Sequence, residues 1–486
     1  MASDIRFTKI VATVGPATEG MERLRALLDA GCNVIRLNAS HGTPSWRTDV
    51  LARVRRAADE MHRHVAVLLD LCGPKIRVAA LSADPLSLAA GDTVLIGRNS
   101  LPQGAVGFTS TYPAIVDDCR VNEAILLDDG AMRLTVTDIG PDALTCRVEV
   151  PGLLLPRKGI NLPETAISSP SLTQKDLDDL AWGLAADVDY IGLSFVRRPE
   201  DISDLRRRIR EAGSAARIIA KIEKPEAVAD VERIIALSDA VMVARGDLGV
   251  EMDVAEVPLI QKRITRMAVR SATPVIIATQ MLQTMIHQPY PTRAEVSDIA
   301  NAILDGADAI MLSGETAVGA YPREAVAVMD RIANLTEDHE KEFGAPCPPA
   351  APTPRPASSD DDRQPMPPLN RALADGAVRV ATDVGAAAIV VLTHTGATAL
   401  AVSKQRPGIP VFAVSDRLQT CRQATLYHGV IAIHHPDHIQ TPDVRQRVTE
   451  LLADGKWVEP GSTVVIISGQ FPGTPGLSDI LQVHRL

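Results

Sequence analysis

Aromatic side chains are scarce in this chain: six Phe, five Tyr and three Trp among 486 residues. Its cores must therefore be built from Ala, Val, Leu and Ile, and an apolar content of 46% is ample for that. Positive charge is also short. Fifty Lys and Arg face sixty Asp and Glu, a net charge of −10. That balance argues against nucleic acid and an anionic membrane as main partners, while a local basic cluster can still hold an anionic substrate. No apolar run reaches the length of a bilayer span. The opening MASDIRFTKI lacks the basic, apolar and small-residue regions of a secretory signal. Six scattered Cys form neither CxxC pairs nor a disulfide-like spacing, which fits a reducing compartment. A cytoplasmic location is expected. P-loop, HExxH, heptad and internal-repeat patterns are all missing.

What is present is a run of β-branched and aliphatic residues ending in a polar cluster, repeated eight times. The runs are KIVATVGP (9–16), CNVIRLNASHG (32–42), HVAVLLDLCGPKIR (64–77), DYIGLSFVRR (189–198), RIIAKIEKPE (217–226), AVMVARGDLGVE (240–251), PVIIATQML (274–282) and GADAIMLSGETA (306–317). Amphipathic segments of helix length separate most of them. This predicts an α/β chain built on a (β/α)8 barrel, whose active site lies where the C-terminal strand ends meet. The residues there are Arg36, Asn38, Ser40, Asp70, Lys221, Glu223, Arg245, Asp247, Thr279, Ser313 and Glu315. Acids, bases and hydroxyls on one rim point to metal-assisted chemistry on an anionic substrate.

The chain divides by composition. Residues 1–73 and 173–345 carry the barrel pattern. Residues 74–172 turn to short strands with Gly, Asp and Pro punctuation, which predicts a small β-barrel inserted as a lid. Thr173 is an expected N-cap, and Thr292 with Glu295 an expected capping box. The Pro-rich, acidic stretch 346–368 reads as a linker. Residues 369–486 alternate strands and helices, so a C-terminal α/β domain with a mainly parallel sheet is expected.

Each motif also has a structural reading. Lys221 and Glu223 share one strand face, and Asp247 follows the next strand. Two carboxylates so placed can hold one Mg2+ or Mn2+, although an ion-pair network would look alike. Arg36 suits bidentate binding of phosphate or carboxylate, or is a solvated strand-end residue. Gly73-Pro74 is a hinge for a closing lid or a plain boundary. Thr279 and Ser313 can bond substrate oxygens or cap helices. Thr393-His394-Thr395-Gly396-Ala397-Thr398 joins a strand to a helix, as an anion nest or an ordinary cap. The HHPDH cluster (434–438) reads as surface rather than a metal site.

RLNASHG, DLCGPKIR, SLTQKDLDDL, SFVRRPED, KIEKPEA, ARGDLGVE, ATQML, PTRAEVSDIANAILDGADAIMLSGETAVGAYP and THTGATA, taken in order, resemble the pyruvate kinase family over nearly the whole chain. The resemblance implies the last step of glycolysis: phosphoryl transfer from phosphoenolpyruvate to ADP, giving pyruvate and ATP. It implies Glu223 and Asp247 as ligands of Mg2+ or Mn2+. Arg36 and Lys221 would face the phosphoryl group. Gly246, Asp247 and Thr279 would hold the substrate carboxylate, with Thr279 and Ser313 near the proton route. Asn38, His41, Arg77 and Lys175 match nucleotide-side positions. Thr393, Thr395, Gly396 and Thr398 match an effector loop, and a homotetramer is expected.

There are departures. Many members read Asp-Thr-Lys-Gly-Pro-Glu where this chain has Asp70-Leu71-Cys72-Gly73-Pro74-Lys75, and the Thr and Glu of that pattern are tied to a K+ ion. Leu71 has no hydroxyl, and Lys75 brings a positive charge in place of the ion, so K+ is not expected to be required. Gln283 stands where an acid is usual. Ala397 and Gln470-Phe471 replace residues of members regulated by fructose 1,6-bisphosphate, which favours a phosphorylated effector with one phosphate. Two other readings stay open: a metal-dependent aldolase working through a pyruvate enolate, and a silent relative that binds metabolites. If Lys75 supplies the charge, turnover will be alike in Na+, K+ and tetramethylammonium buffers of equal ionic strength. A protein nearly inactive without K+ and restored by it contradicts this reading.

Overall fold

The computed structural model describes residues 5–343, 368–436, 444–455, 457–469 and 479–486. The eight apolar runs form β1 (Lys9–Thr13), β2 (Val34–Asn38), β3 (Ala66–Asp70), β4 (Tyr190–Leu193), β5 (Arg217–Ile222), β6 (Ala240–Ala244), β7 (Val275–Ala278) and β8 (Ala309–Leu312). They close into a barrel in the order β1-β8-β7-β6-β5-β4-β3-β2, every neighbour parallel. Such strands are buried on both faces, so their sequences are continuously apolar rather than alternating. Alternate residues nonetheless feed two cores. Ile10, Ile35, Leu37, Val67 and Leu69 join the helices around the barrel. Val11, Val34, Leu68, Ile219, Met242, Ile276 and Met311 fill its interior. Continuing the interior row towards the strand ends gives Thr13, Arg36, Asp70 and Lys221.

After β3 the chain builds a seven-stranded sheet, running from Ile160–Asn161 at one edge to Val78–Leu81 at the other, and a two-stranded sheet of Leu86–Leu88 with Gly152–Leu154. These enclose their own core around Ile96, Phe108, Ile125, Leu134 and Val148. The return to the barrel is the helix Gln174–Ala185, capped by Thr173 in a reciprocal box with Asp176. Thr292 and Glu295 form the same box on the helix Arg293–Leu304. Asp176 also accepts the Gly73 N–H at 3.0 Å, joining the two ends of the insertion. Gly73 is left-handed, at φ 69°, and the Phe195 ring lies where its Cβ would stand, 2.6 Å away. No other residue fits there without displacement.

The C-terminal sheet runs β11 (Val430–His434), β10 (Val411–Ser415), β9 (Ala388–Leu392), β12 (Thr463–Ser468) and β13 (Ile480–Arg485), with only β13 antiparallel. The expected linker, except Pro368, which opens the helix Pro368–Asp383, lies outside the described residues, as does Gln470-Phe471. This sheet unit docks on the barrel floor, where the strands begin. Lys404 Nζ meets Asp308 Oδ2 at 2.7 Å, both side chains 1% exposed. Arg422 Nε meets Asp189 at 2.7 Å, Lys9 Nζ donates to the Val430 carbonyl at 2.8 Å, and Arg217 donates to the Thr395 carbonyl at 2.6 Å. Between these bonds the barrel interior is continuous with the C-terminal core through Tyr190, Leu400, Tyr427 and Val430. No helix among the described residues is long and apolar enough to cross a membrane.

Removing one partner of a buried ion pair strands the other. Lys404→Met is expected to destabilise the protein by about 3–5 kcal/mol in urea unfolding. A loss below about 1 kcal/mol, the value of an exposed pair, contradicts this account of the floor.

Candidate active site

At the opposite end of the barrel the interior row becomes charged. Arg36, on β2, reaches Asp70 Oδ2 on β3 through Nε and Nη2, each at 2.7 Å, and donates to Thr13 Oγ1 at 2.9 Å. Lys221, at the end of β5, sits with its ammonium among three acceptors: Ser194 Oγ at 2.6 Å, Glu223 Oε1 at 2.8 Å and Asp70 Oδ1 at 3.3 Å. That accounts for all three of its protons. Glu223 Oε2 accepts the Phe195 N–H at 2.9 Å. Gly192 leaves the room this requires, since a Cβ there would stand 2.9 Å from Asp70 Oδ1.

Asp70 is 1% exposed, and Lys221 and Glu223 are also buried. Burial opposes the Lys221 charge, but Asp70 and Glu223 outweigh it and raise its pKa. Burial likewise pushes Asp70 up, yet Lys221 and then Arg36 hold it below the usual carboxylate value. Glu223 is driven the other way, by burial and by the nearby Asp247 charge, which Lys221 only partly offsets. The cluster thus sets Asp70, Glu223 and Asp247 against Arg36 and Lys221, an excess of negative charge. Among the described residues no group of three or more His, Cys, Asp and Glu forms a metal cage. Glu223 and Asp247 are hard oxygen donors that follow the adjacent strands β5 and β6, Asp247 lining the cleft under the inserted domain. This donor set fits Mg2+ or Mn2+, which keep several ligands from water or substrate.

Asp247 and Gly246 lie in the first turn of the helix Arg245–Glu251 after β6. The Gly246 N–H donates to Thr279 Oγ1 at 2.7 Å, joining the ends of β6 and β7. Thr279 and Gln280 follow β7 at φ 70° and 54°, a left-handed pair rare for a β-branched residue. Arg245 and Glu315, expected on the rim, instead brace this turn and the next. Arg245 bonds the Thr279 carbonyl at 2.8 Å and Asp298 at 2.7 Å. Glu315 accepts the Ser313 N–H at 2.8 Å and the Leu282 N–H at 3.1 Å. Their charges are used on loops. Ser313 is half-buried at the end of β8.

The remaining candidates scatter. Asn38 Oδ1 accepts the Ser40 N–H at 3.0 Å, and His41 is exposed beyond it. Lys175 reaches the same turn, donating to the Ala39 carbonyl at 2.6 Å and pairing with Asp179 at 2.5 Å. Arg77 turns into the inserted domain and bonds the Arg157 carbonyl at 2.8 Å. Leu71 is buried in the outer core, while Lys75 is exposed and lines the cleft with Asp247. In the C-terminal unit Thr393 Oγ1 accepts the Gly396 N–H at 2.9 Å and Thr395 Oγ1 the Ala397 N–H at 3.4 Å. Both hydroxyls therefore cap the loop. Gly396 is left-handed at φ 79°, and Thr398 is buried. Thr13 and Ser194 were missed by the sequence reading. Their signal was inward parity at a strand end.

Because Asp70 titrates below its unfolded value, its ion pair stabilises the fold above about pH 4 and is lost as pH falls through the folded pKa. Arg36→Met is expected to cost about 3 kcal/mol at pH 7, with the loss shrinking below about pH 4. A loss of equal size at pH 3 and pH 7 by denaturant unfolding contradicts the pairing.

A model of the pyruvate kinase barrel domain matches residues 5–326, and one of the pyruvate kinase alpha/beta domain matches residues 371–484. The chain is 40% identical to pyruvate kinase 2 of Synechocystis sp., over 99% of this chain and 79% of that protein. It is 40% identical to pyruvate kinase of Mycobacterium intracellulare, over 98% of each. A crystal structure of a pyruvate kinase from Cryptosporidium parvum superposes with a TM-score of 0.89 at 32% identity, covering 100% of this chain and 97% of that one. Barrel, inserted sheet and C-terminal unit all fall within these matches, and the chain belongs to the pyruvate kinase family.

Proposed function

We propose that this protein transfers the phosphoryl group of phosphoenolpyruvate to ADP, forming pyruvate and ATP. The observation that carries this reading is the Lys221 ammonium, set between Asp70 and Glu223 with Arg36 alongside and Asp247 in the helix turn after the next strand. The bond from phosphorus to the enol oxygen breaks as one forms to a β-phosphate oxygen of ADP. Little covalent work falls to the protein in such a transfer, so fixed charge and positioning dominate. Arg36 and Lys221 supply that charge in a site already desolvated, without reorganisation during the step. Glu223 and Asp247 hold a divalent ion, which when bound adds Lewis-acid stabilisation of substrate oxygens. The Gly246 turn and Thr279 orient the carboxylate. The enolate left behind takes a proton at carbon, and Thr279 and Ser313 are the hydroxyls at that end of the barrel.

The insertion, residues 74–172, acts as a lid hinged at Gly73-Pro74, closing ADP over the mouth and excluding water. Asn38, His41, Arg77 and Lys175 are the nucleotide-side candidates. Arg77 must leave the Arg157 carbonyl to serve. Independence from K+ belongs to the same proposal. Its support is that Leu71 offers no side-chain oxygen and that the exposed Lys75 lines the cleft with Asp247, where its charge can stand in for the ion. A homotetramer, and an effector carrying one phosphate at Thr393, Thr395, Gly396 and Thr398, complete it. An aldolase would have no use for the paired cations, and a silent relative would not need both carboxylates.

The test is pyruvate formation from phosphoenolpyruvate and ADP with Mg2+ or Mn2+, read by a coupled assay. Folded protein that forms none at millimolar substrate contradicts the proposal. Lys221→Met is expected to lower kcat by 10²–10³, since a preorganised charge is worth roughly 3–4 kcal/mol. Near wild-type turnover in that variant removes Lys221 from the mechanism.

A further inference from the structure

A hydrogen-bonded triad between the insertion and the barrel takes no part in the chemistry above. Glu251 ends the helix Arg245–Glu251, its side chain only 2% exposed. Its Oε1 accepts from Lys224 Nζ at 2.7 Å and from Asn161 Nδ2 at 2.8 Å. Its Oε2 is buried with no hydrogen-bond partner. Asn161 belongs to the other body. It lies on the two-residue edge strand Ile160–Asn161 of the inserted sheet, paired with Ala124–Leu127. A charged acceptor on the barrel therefore holds a neutral donor on the lid, and such bonds are stronger than neutral ones.

The barrel partners of this bond are not scattered. Lys224 directly follows Glu223. Glu251 stands four residues beyond Asp247 on the same short helix, one turn away. Lys224 also lies 6.0 Å from the centre of the Phe195 ring. That ring packs over hinge residue Gly73, and the Phe195 N–H holds Glu223 Oε2. The triad thus bonds the lid, belongs to both segments that carry the candidate metal carboxylates, and reaches Gly73 by way of the Phe195 ring. The same residues, Asn161, Phe195, Lys224, Asp247 and Glu251, line the cleft between lid and barrel.

We infer that Asn161 and Glu251 form a latch: their bond holds the lid closed and brings the Glu223 and Asp247 segments into register beneath it. The inference rests on the proposed phosphoryl transfer. Both are positioning residues, since neither reaches the reacting atoms. Lys224 keeps the Glu251 charge in place while the lid is open, so closure needs no new charge to be buried.

Asn161→Ala tests the latch, because Asn161 is half-exposed at a strand edge and its loss leaves the lid core intact. With Mg2+, ADP and phosphoenolpyruvate bound, hydrogen exchange in residues 74–78 and 158–162 is expected to rise about tenfold, the value of one charge-assisted bond. KM for ADP is expected to rise by about the same factor, with kcat within about threefold of wild type. Glu251→Gln keeps an oxygen for Asn161 and is expected to raise lid exchange less than Asn161→Ala does. Wild-type exchange and KM in Asn161→Ala overturn the latch. So does a fall in kcat at unchanged KM and unchanged exchange. An inactive wild type would instead remove the phosphoryl-transfer reading, while the exchange comparison still judges the lid contact.

Discussion

The constraint on which the rest of the barrel mouth depends is the burial of charge on its inward row. A (β/α)8 barrel ordinarily fills its interior with apolar layers, and this one does so up to Leu68, Ile219 and Met242. Its last layer is instead Arg36, Asp70 and Lys221, with Glu223 just beyond. Buried charges persist only when they are paired and hydrogen-bonded. Much of the local architecture follows from meeting that demand. Gly192 makes room for Asp70, Ser194 and Thr13 take up spare protons, and the Phe195 N–H turns back onto Glu223. What remains is a negative excess at Glu223 and Asp247, where a divalent ion fits.

The same logic operates at the floor with the opposite outcome. There Asp189 and Asp308 meet Arg422 and Lys404 from the C-terminal unit. The floor is an interface and the mouth a site because one set of charges is closed by a second unit and the other is left partly open. Strand β5 spans the two. Arg217 at its start bonds the Thr395 carbonyl and lies over the Tyr427 ring, while Lys221 near its end holds Glu223. The Thr393–Thr398 loop and the mouth are thus joined in space through one strand.

Much of this was legible in the sequence, for a definite reason. Period-two parity carries from apolar residues to the polar residues that end each strand, so Arg36, Asp70, Lys221 and Glu223 could be placed on one rim. Parity stops being informative once the backbone leaves the strand. Thr279 and Gln280 turn left-handed, and Arg245 and Glu315 swing onto loop N–H and carbonyl groups, which no alternation rule anticipates. Ser194 and Thr13 were overlooked because a strand-end hydroxyl more often caps a helix than holds a lysine or an arginine. The floor contacts were invisible because each joins residues more than ninety positions apart. The latch was hidden for the same reason: Asn161 and Glu251 are ninety residues apart.

The central claim is that the excess charge at the mouth holds one divalent ion on Glu223 and Asp247. Titration of Mn2+ followed by electron paramagnetic resonance measures this without turnover. The wild type is expected to bind a single tight ion, and Glu223→Gln and Asp247→Asn each to weaken it about tenfold or more, roughly 1.4 kcal/mol. Unchanged Mn2+ affinity in both variants would contradict the account.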